Sequence, residues 1–158
     1  MADGKNELTI VRVLDAPRAK VWRACREVRA LRQWWGMPIG ATMRTCQVDF
    51  RIGGAMLCEI EPPGGARLWF KWIYRDIVEG ESMVIELHAS DASGRERDSL
   101  ERPASIVRLA LEDMDGQTRL TVVHSGMASE THRVEDFREG WSQSLRRLTE
   151  HLSAPPAD

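Results

Sequence analysis

The first hydrophobic pattern along the chain is Leu8 to Leu14 (LTIVRVL), a run rich in β-branched residues that reads as a strand. Asp15-Ala16-Pro17 stops it and opens a helix, with Asp15 or Ala16 as the cap and Pro17 in the first turn, where its missing N–H costs nothing. Val21, Trp22, Cys25 and Val28 then recur at helical spacing and lead into Leu31, Trp34 and Trp35. The pattern predicts two short helices, broken near Val28 and closed by Gly36 and Pro38. From about Arg44 the period falls to two. TCQVDFRI ends at Gly53-Gly54, a Gly-Gly pair between two alternating runs and so a hairpin signal, and AMLCEIE ends at Pro62-Pro63-Gly64-Gly65. Cys46, Val48, Phe50 and Ile52 share one face of the first run, as Met56, Cys58 and Ile60 do on the second.

Two further strands, Arg67 to Val78 and Met83 to Ala89, meet at Glu79-Gly80-Glu81. The charged stretch SDASGRERDSLERP, Ser90 to Pro103, is apolar-poor and reads as a mobile loop. A last hairpin, Ile106 to Leu111 and Arg119 to Ser125, turns at Asp115-Gly116. Val134, Phe137, Trp141, Leu145, Leu148 and Leu152 then recur at steps of 3, 4, 4, 3 and 4, one continuous helical stripe before the tail APPAD. Burying that stripe contributes on the order of 10 to 15 kcal/mol as an upper bound. Seven strands, two helices after the first and one long helix at the end make an antiparallel α+β domain, in which the last helix lies across the sheet. The 158 residues are expected to form a single domain, 1–158, with an ordered core of about 7–152.

Composition narrows the function. Lys plus Arg number 22 against 24 Asp plus Glu, a formal charge of −2, which argues against a nucleic-acid binder held by a positive field. No apolar run reaches the ~18 residues of a membrane span, and MADGKNE lacks the regions of a signal peptide. Cys25, Cys46 and Cys58 have no metal-like or redox-like spacing and read as free thiols of a reducing compartment, so the expected location is cytoplasmic.

Four segments in order carry a resemblance: Asp15-Ala16-Pro17 with Val21-Trp22, then Trp34-Trp35-Gly36, then VDFRIGG from Val48 to Gly54, then HSGM from His124 with GWSQSLRRL from Gly140. Together they span about Leu8 to Leu152. The chain resembles the START-like (SRPBCC) superfamily and, more narrowly, its bacterial branch similar to the activator of heat-shock protein 90 ATPase. The resemblance implies a helix-grip fold, a curved antiparallel sheet gripping the C-terminal helix, with an interior that in many members holds an apolar small molecule. The long Ser90 to Pro103 loop and Met127, where an aromatic is commoner, depart from the pattern.

Candidate ligand-binding residues are the large apolar and aromatic side chains Trp34, Trp35, Phe50, Met56, Phe70, Trp72 and Trp141, with Tyr74 and His124 as polar groups among them; Met43 belongs to the same inventory. Tyr74 shares a strand face with Leu68, Phe70 and Trp72, and His124 with Leu120 and Val122. Arg12, beside Ile10 and Leu14, is a further candidate anchor. His124 reads either as a strand-end histidine bonded to the adjacent loop or as a ligand contact. Asp49 and Arg51 read as an exposed ion-pair ladder with Glu59 and Glu61 across the hairpin. His88, His124, His132 and His151 are dispersed, and His132 with Asp136 lacks a third ligand, so no metal and no cofactor are expected. Arg18, Lys20, Arg23, Arg26, Arg29 and Arg32 against Glu27 form a basic helical face, either the solvated side or a surface for an acidic partner. No G-x-S-x-G, P-loop, H-E-x-x-H or dinucleotide motif occurs, since Gly140-Trp-Ser-Gln-Ser fails at its last position. The reading is therefore a binding module for a small apolar or amphipathic molecule. The alternatives are a cyclase- or hydrolase-like enzyme using the same interior with His124 as acid/base, or a co-chaperone or homodimeric partner-binding domain.

Overall fold

A computed structural model describes residues 7–35, 41–99, 104–126 and 131–153. Gly36, Pro38, Met127, the end of the 90–103 stretch and the APPAD tail lie outside these residues. Strand β1 (Glu7–Leu14) is followed by helices α1 (Arg18–Arg26) and α2 (Val28–Trp34). Strands β2 (Thr42–Val48), β3 (Ala55–Glu61), β4 (Leu68–Val78), β5 (Ser82–Ser90), β6 (Ser105–Asp113) and β7 (Thr118–Ser125) come next, followed by helix α3 (Thr131–Ser153). All pairings are antiparallel in the order β1-β7-β6-β5-β4-β3-β2, so β1 lies at one edge and β2 at the other. This curved sheet, two short helices and long terminal helix form the helix-grip α+β fold that the sequence predicts.

The core lies between the inward face of the sheet and the three helices. Trp141, Leu145, Leu148 and Leu152 of the α3 stripe are buried, and Val134 and Phe137 pack partly buried at its start. Helix α1 buries Val21, Trp22, Ala24 and Cys25, and α2 buries Ala30, Leu31 and Trp34. Glu27 separates the two in an extended conformation (φ −86°, ψ 133°), so the break falls one residue before Val28. Two long-range hydrogen bonds hold the helices to the rest. Thr118 Oγ1 donates to the Ala16 carbonyl at 2.8 Å, and Lys20 Nζ donates to the Leu152 carbonyl at 2.9 Å, serving an acceptor that the last turn of α3 leaves free. The β6–β7 hairpin turns at Asp115-Gly116 with both residues at positive φ (60° and 92°), the requirement of a tight primed turn.

Four expectations are corrected. Neither Asp15 nor Ala16 caps α1; Pro17 occupies the N-cap, and its carbonyl accepts from Lys20 and Val21 N–H. Strand β2 stops at Val48 instead of running to Ile52, which is exposed, and a bulge between Met43 and Thr45 puts Met43 and Cys46 on the same face three residues apart. The 49–54 segment folds back onto β4, where Gly53 N–H donates to the Tyr74 carbonyl and Tyr74 N–H donates to the Gly54 carbonyl. Asp49 and Arg51 therefore pair with each other at 2.9 Å, while Glu59 takes Arg67 and Glu61 takes Arg44. The described part of the 90–103 stretch is a bonded turn: the Asp91 carboxylate accepts from Ser93 and Arg95 N–H and from Arg97, and Arg97 N–H donates to the Ala89 carbonyl.

The 49–54 connection makes a specific demand on Gly54. A Cβ there would stand 2.2 Å from the Asp49 carbonyl oxygen, a backbone atom that cannot yield as a side chain would. Gly53 needs only its positive φ of 88°, with open space around it. Gly54→Ala is expected to destabilise the chain by more than about 2 kcal/mol and Gly53→Ala by about 1 kcal/mol, read from urea midpoints. Equal effects, or no effect at Gly54, would contradict this account of the turn.

Candidate functional site

Alternation along the strands and the helical period of α3 aim their large side chains at one another. Trp35, at the end of α2, is the hub: its ring centroid lies 5.1 Å from Trp34, 5.1 Å from Trp72 on β4 and 5.5 Å from Trp141 on α3, all edge-to-face. Met56 on β3 lies opposite Trp72 in the strand register and is buried. A second group adjoins this one along β4. Phe50 packs edge-on to Tyr74 at 5.0 Å and to Trp22 at 6.1 Å, with the Arg26 guanidinium 4.5 Å above its ring. Phe70 is partly buried against the core, paired in register with Cys58 and Ala89. The predicted residues thus fall into two adjoining groups, one built on Trp34, Trp35, Trp72, Trp141 and His124 and one on Phe50 and Tyr74, with Met56 and Phe70 beside Trp72 on the same sheet.

His124, fully buried, neither bonds the adjacent loop nor presents a free nitrogen. Trp141 Nε1–H donates to Nδ1 at 3.0 Å, and because indole nitrogen only donates, Nδ1 carries the lone pair. Nε2 then carries the hydrogen and donates to Ser105 Oγ at 2.8 Å. One imidazole thereby ties α3 to β7 and β6, with Phe137 edge-on at 4.5 Å. Ser105 gave no signal in the sequence, since a serine beginning a strand after a polar loop looks like solvated surface. Arg12 is not an interior anchor, as its guanidinium bonds the neighbouring Val11 carbonyl in an exposed position.

The buried indole and phenol donors divide into two sets. Trp22 Nε1–H donates to Glu79 at 3.0 Å, Trp34 Nε1–H to the Ala24 carbonyl at 2.8 Å, and Trp141 Nε1–H to His124. Trp35 Nε1, Trp72 Nε1 and Tyr74 Oη are buried and meet no acceptor among the described residues. Burial raises the Tyr74 hydroxyl above its ordinary value, so it stays a protonated donor at neutral pH. Nearby, Cys46 and Cys58 face each other across β2 and β3 with their sulfurs 3.6 Å apart. Cys25 is also buried, and burial raises its thiol to about 12. The interior is therefore mainly apolar, and these three donors meet no acceptor among the described residues. Among the described residues no helix is long and apolar enough to cross a membrane.

A family model described as Activator of Hsp90 ATPase homolog 1-like protein matches residues 15–153. Protein CV1439 from Chromobacterium violaceum is similar at 27% identity and a TM-score of 0.76, over 95% of this chain and 99% of that one. Protein Ms6760 from Mycobacterium smegmatis, at 24% identity and a TM-score of 0.81 over 97% and 94%, and the AHSA1 protein from Silicibacter pomeroyi, at 21% and 0.74 over 93% and 97%, share the fold. No curated protein matches.

Burial lowers His124 from 6.5 to about 4. Between those values the unfolded chain holds the proton that the folded chain refuses, so stability rises with pH. The contribution is complete above about pH 6.5 and fades as pH falls toward 4, about 3 kcal/mol in all. Urea unfolding of the parent chain between pH 7.5 and 4.5 should therefore lose this amount relative to His124→Gln. Parallel curves for the two proteins would contradict the assignment.

Proposed function

The chain belongs to the Activator of Hsp90 ATPase homolog 1-like family, and from that premise we propose that it binds a small apolar or amphipathic molecule between the sheet and α3. The observation that carries this reading is a set of buried donors that meet no acceptor among the described residues, Trp35 Nε1, Trp72 Nε1 and Tyr74 Oη, set among mainly apolar walls. A buried donor without an acceptor costs about 1–3 kcal/mol, and three in one region are a standing demand for an acceptor group. A molecule with an apolar body and one carbonyl or carboxyl oxygen meets both requirements, with Trp34, Trp35, Met56, Phe70, Trp72 and Trp141 as walls and Phe50 beside Tyr74.

Binding is favoured over cyclase- or hydrolase-like catalysis by the state of His124. Both its nitrogens serve Trp141 and Ser105, and its pKa near 4 makes it a poor acid or base at neutral pH. In this reading His124 lines the interior by positioning Trp141. A cytoplasmic location fits the three free thiols. A co-chaperone role would instead use the basic face of α1 and α2, where Arg23, Arg29 and Arg32 are exposed.

The test is a titration of the purified chain with anilinonaphthalene sulfonate, displaced by decanoate. Saturable one-to-one binding is expected. Tyr74→Phe should weaken decanoate about fivefold by removing one hydrogen bond, while leaving the ligand-free chain as stable or slightly more so, and Trp72→Phe should weaken it at least as much, at a stability cost because the smaller ring leaves a gap beside Trp35. Phe70→Ala should weaken binding through lost wall contact. Affinity unchanged in all three variants, or no displaceable binding, would overturn the proposal.

A further inference from the structure

On the opposite face of the sheet, the 91–99 turn folds back over β5 and buries His88, which is 6% exposed. His88 alternates with the inward residue Leu87 and pairs in register with Lys71 of β4, so it has no part in the interior. Its Nδ1 faces Asp98 Oδ2 at 2.5 Å and Glu96 Oε1 at 3.5 Å. His88, Glu96 and Asp98 each offer one ligand atom within 4.8 Å of those of the other two.

Each ligand side chain is also held from behind by a group that does not face the centre. His88 Nε2 meets Glu86 Oε1 at 2.7 Å, and Glu86 is itself gripped by Arg75 at 2.8 Å. The second oxygen of Asp98 accepts from Ala89 N–H at 3.1 Å, and the second oxygen of Glu96 takes Lys71 Nζ at 3.3 Å. An imidazole whose far nitrogen is fixed by a carboxylate, beside two carboxylates each presenting one oxygen, is the outer-shell arrangement that orients metal ligands. We propose that His88 Nδ1, Asp98 Oδ2 and Glu96 Oε1 form a site for a divalent first-row transition ion of the zinc class, which pins the 91–99 turn to the outer face of the sheet.

Imidazole with two carboxylates suits zinc, cobalt or manganese better than calcium, which takes six to eight oxygens. Tetrahedral bonds of about 2.0–2.2 Å place neighbouring ligands roughly 3.3 Å apart, so Asp98 must withdraw from Nδ1 by less than about 1 Å while Glu96 is nearly in place. On binding, Nδ1 gives its proton to solvent and donates its lone pair to the ion, while Nε2–H continues to donate to Glu86. The fourth position falls to water, since Glu96 and Asp98 are partly exposed.

The experiment is calorimetric titration of the full chain with zinc chloride at pH 7.5, with cobalt(II) absorption as a second readout. One ion per chain at micromolar Kd is expected. His88→Gln and Asp98→Asn should each weaken it at least about tenfold, and Glu86→Gln by about tenfold through the outer shell. Cobalt should give the visible d–d bands of a tetrahedral nitrogen–oxygen site without thiolate charge transfer. Absence of binding up to millimolar zinc, binding retained in both His88→Gln and Asp98→Asn, or a thiolate band pointing to Cys46 and Cys58 would each overturn the proposal. A variant that unfolds is identified by circular dichroism, and the other variants with the cobalt spectrum of the parent chain then decide.

Discussion

Every buried indole brings apolar area and one N–H that needs an acceptor, and this double character governs the interior. Burying the α3 stripe brings Trp141 against the sheet, and His124 accepts its hydrogen. His124 can do so only because Ser105 accepts from its other nitrogen and because burial keeps the ring neutral. Helix α3 is therefore gripped by hydrophobic contact and by one directional line, Trp141 to His124 to Ser105, that joins it to β7 and β6. Trp34 meets the same demand locally at the Ala24 carbonyl, and Trp22 meets it at the surface through Glu79. The demand left unmet at Trp35, Trp72 and Tyr74 turns a packing arrangement into a reading of function.

The sheet serves two faces differently. Inward, period-two alternation on β4 delivers Trp72 and Tyr74 as neighbours to one interior, Trp72 against the Trp35 hub and Tyr74 against Phe50. Outward, the same alternation one strand along delivers Glu86 and His88, and the turn after β5 returns Glu96 and Asp98 over them. Since the outer cluster and the interior are separated by the sheet, perturbing His88 should leave ligand affinity unchanged, and perturbing Tyr74 should leave metal affinity unchanged.

Much of this order was legible in the residues. The steps of the α3 stripe, the shift from helical to alternating period, the break before α2 and the Asp115-Gly116 turn depend on neighbours along the chain, and local pattern reports them. The inward faces of β3, β4 and β7 follow for the same reason, and Met56, Trp72, Tyr74 and His124 are buried on them as the alternation predicts. Features that depend on partners far away in sequence were not legible. Strand β2 ends at Val48 because Gly53 and Gly54 bond to Tyr74, and no alternation can announce that. Ser105 and His88 were missed because a polar residue serving another buried polar group has the same pattern as one facing water.

The most direct measurement is the set of indole Nε1–H signals in a nitrogen–proton correlation spectrum of the chain, recorded with and without decanoate. Trp35 and Trp72 should begin as signals without a hydrogen-bond acceptor and move downfield together at saturation, while Trp22 and Trp34, already bonded to Glu79 and Ala24, stay in place. Signals for Trp35 and Trp72 that do not respond, or a response confined to Trp22 and Trp34, would contradict the account.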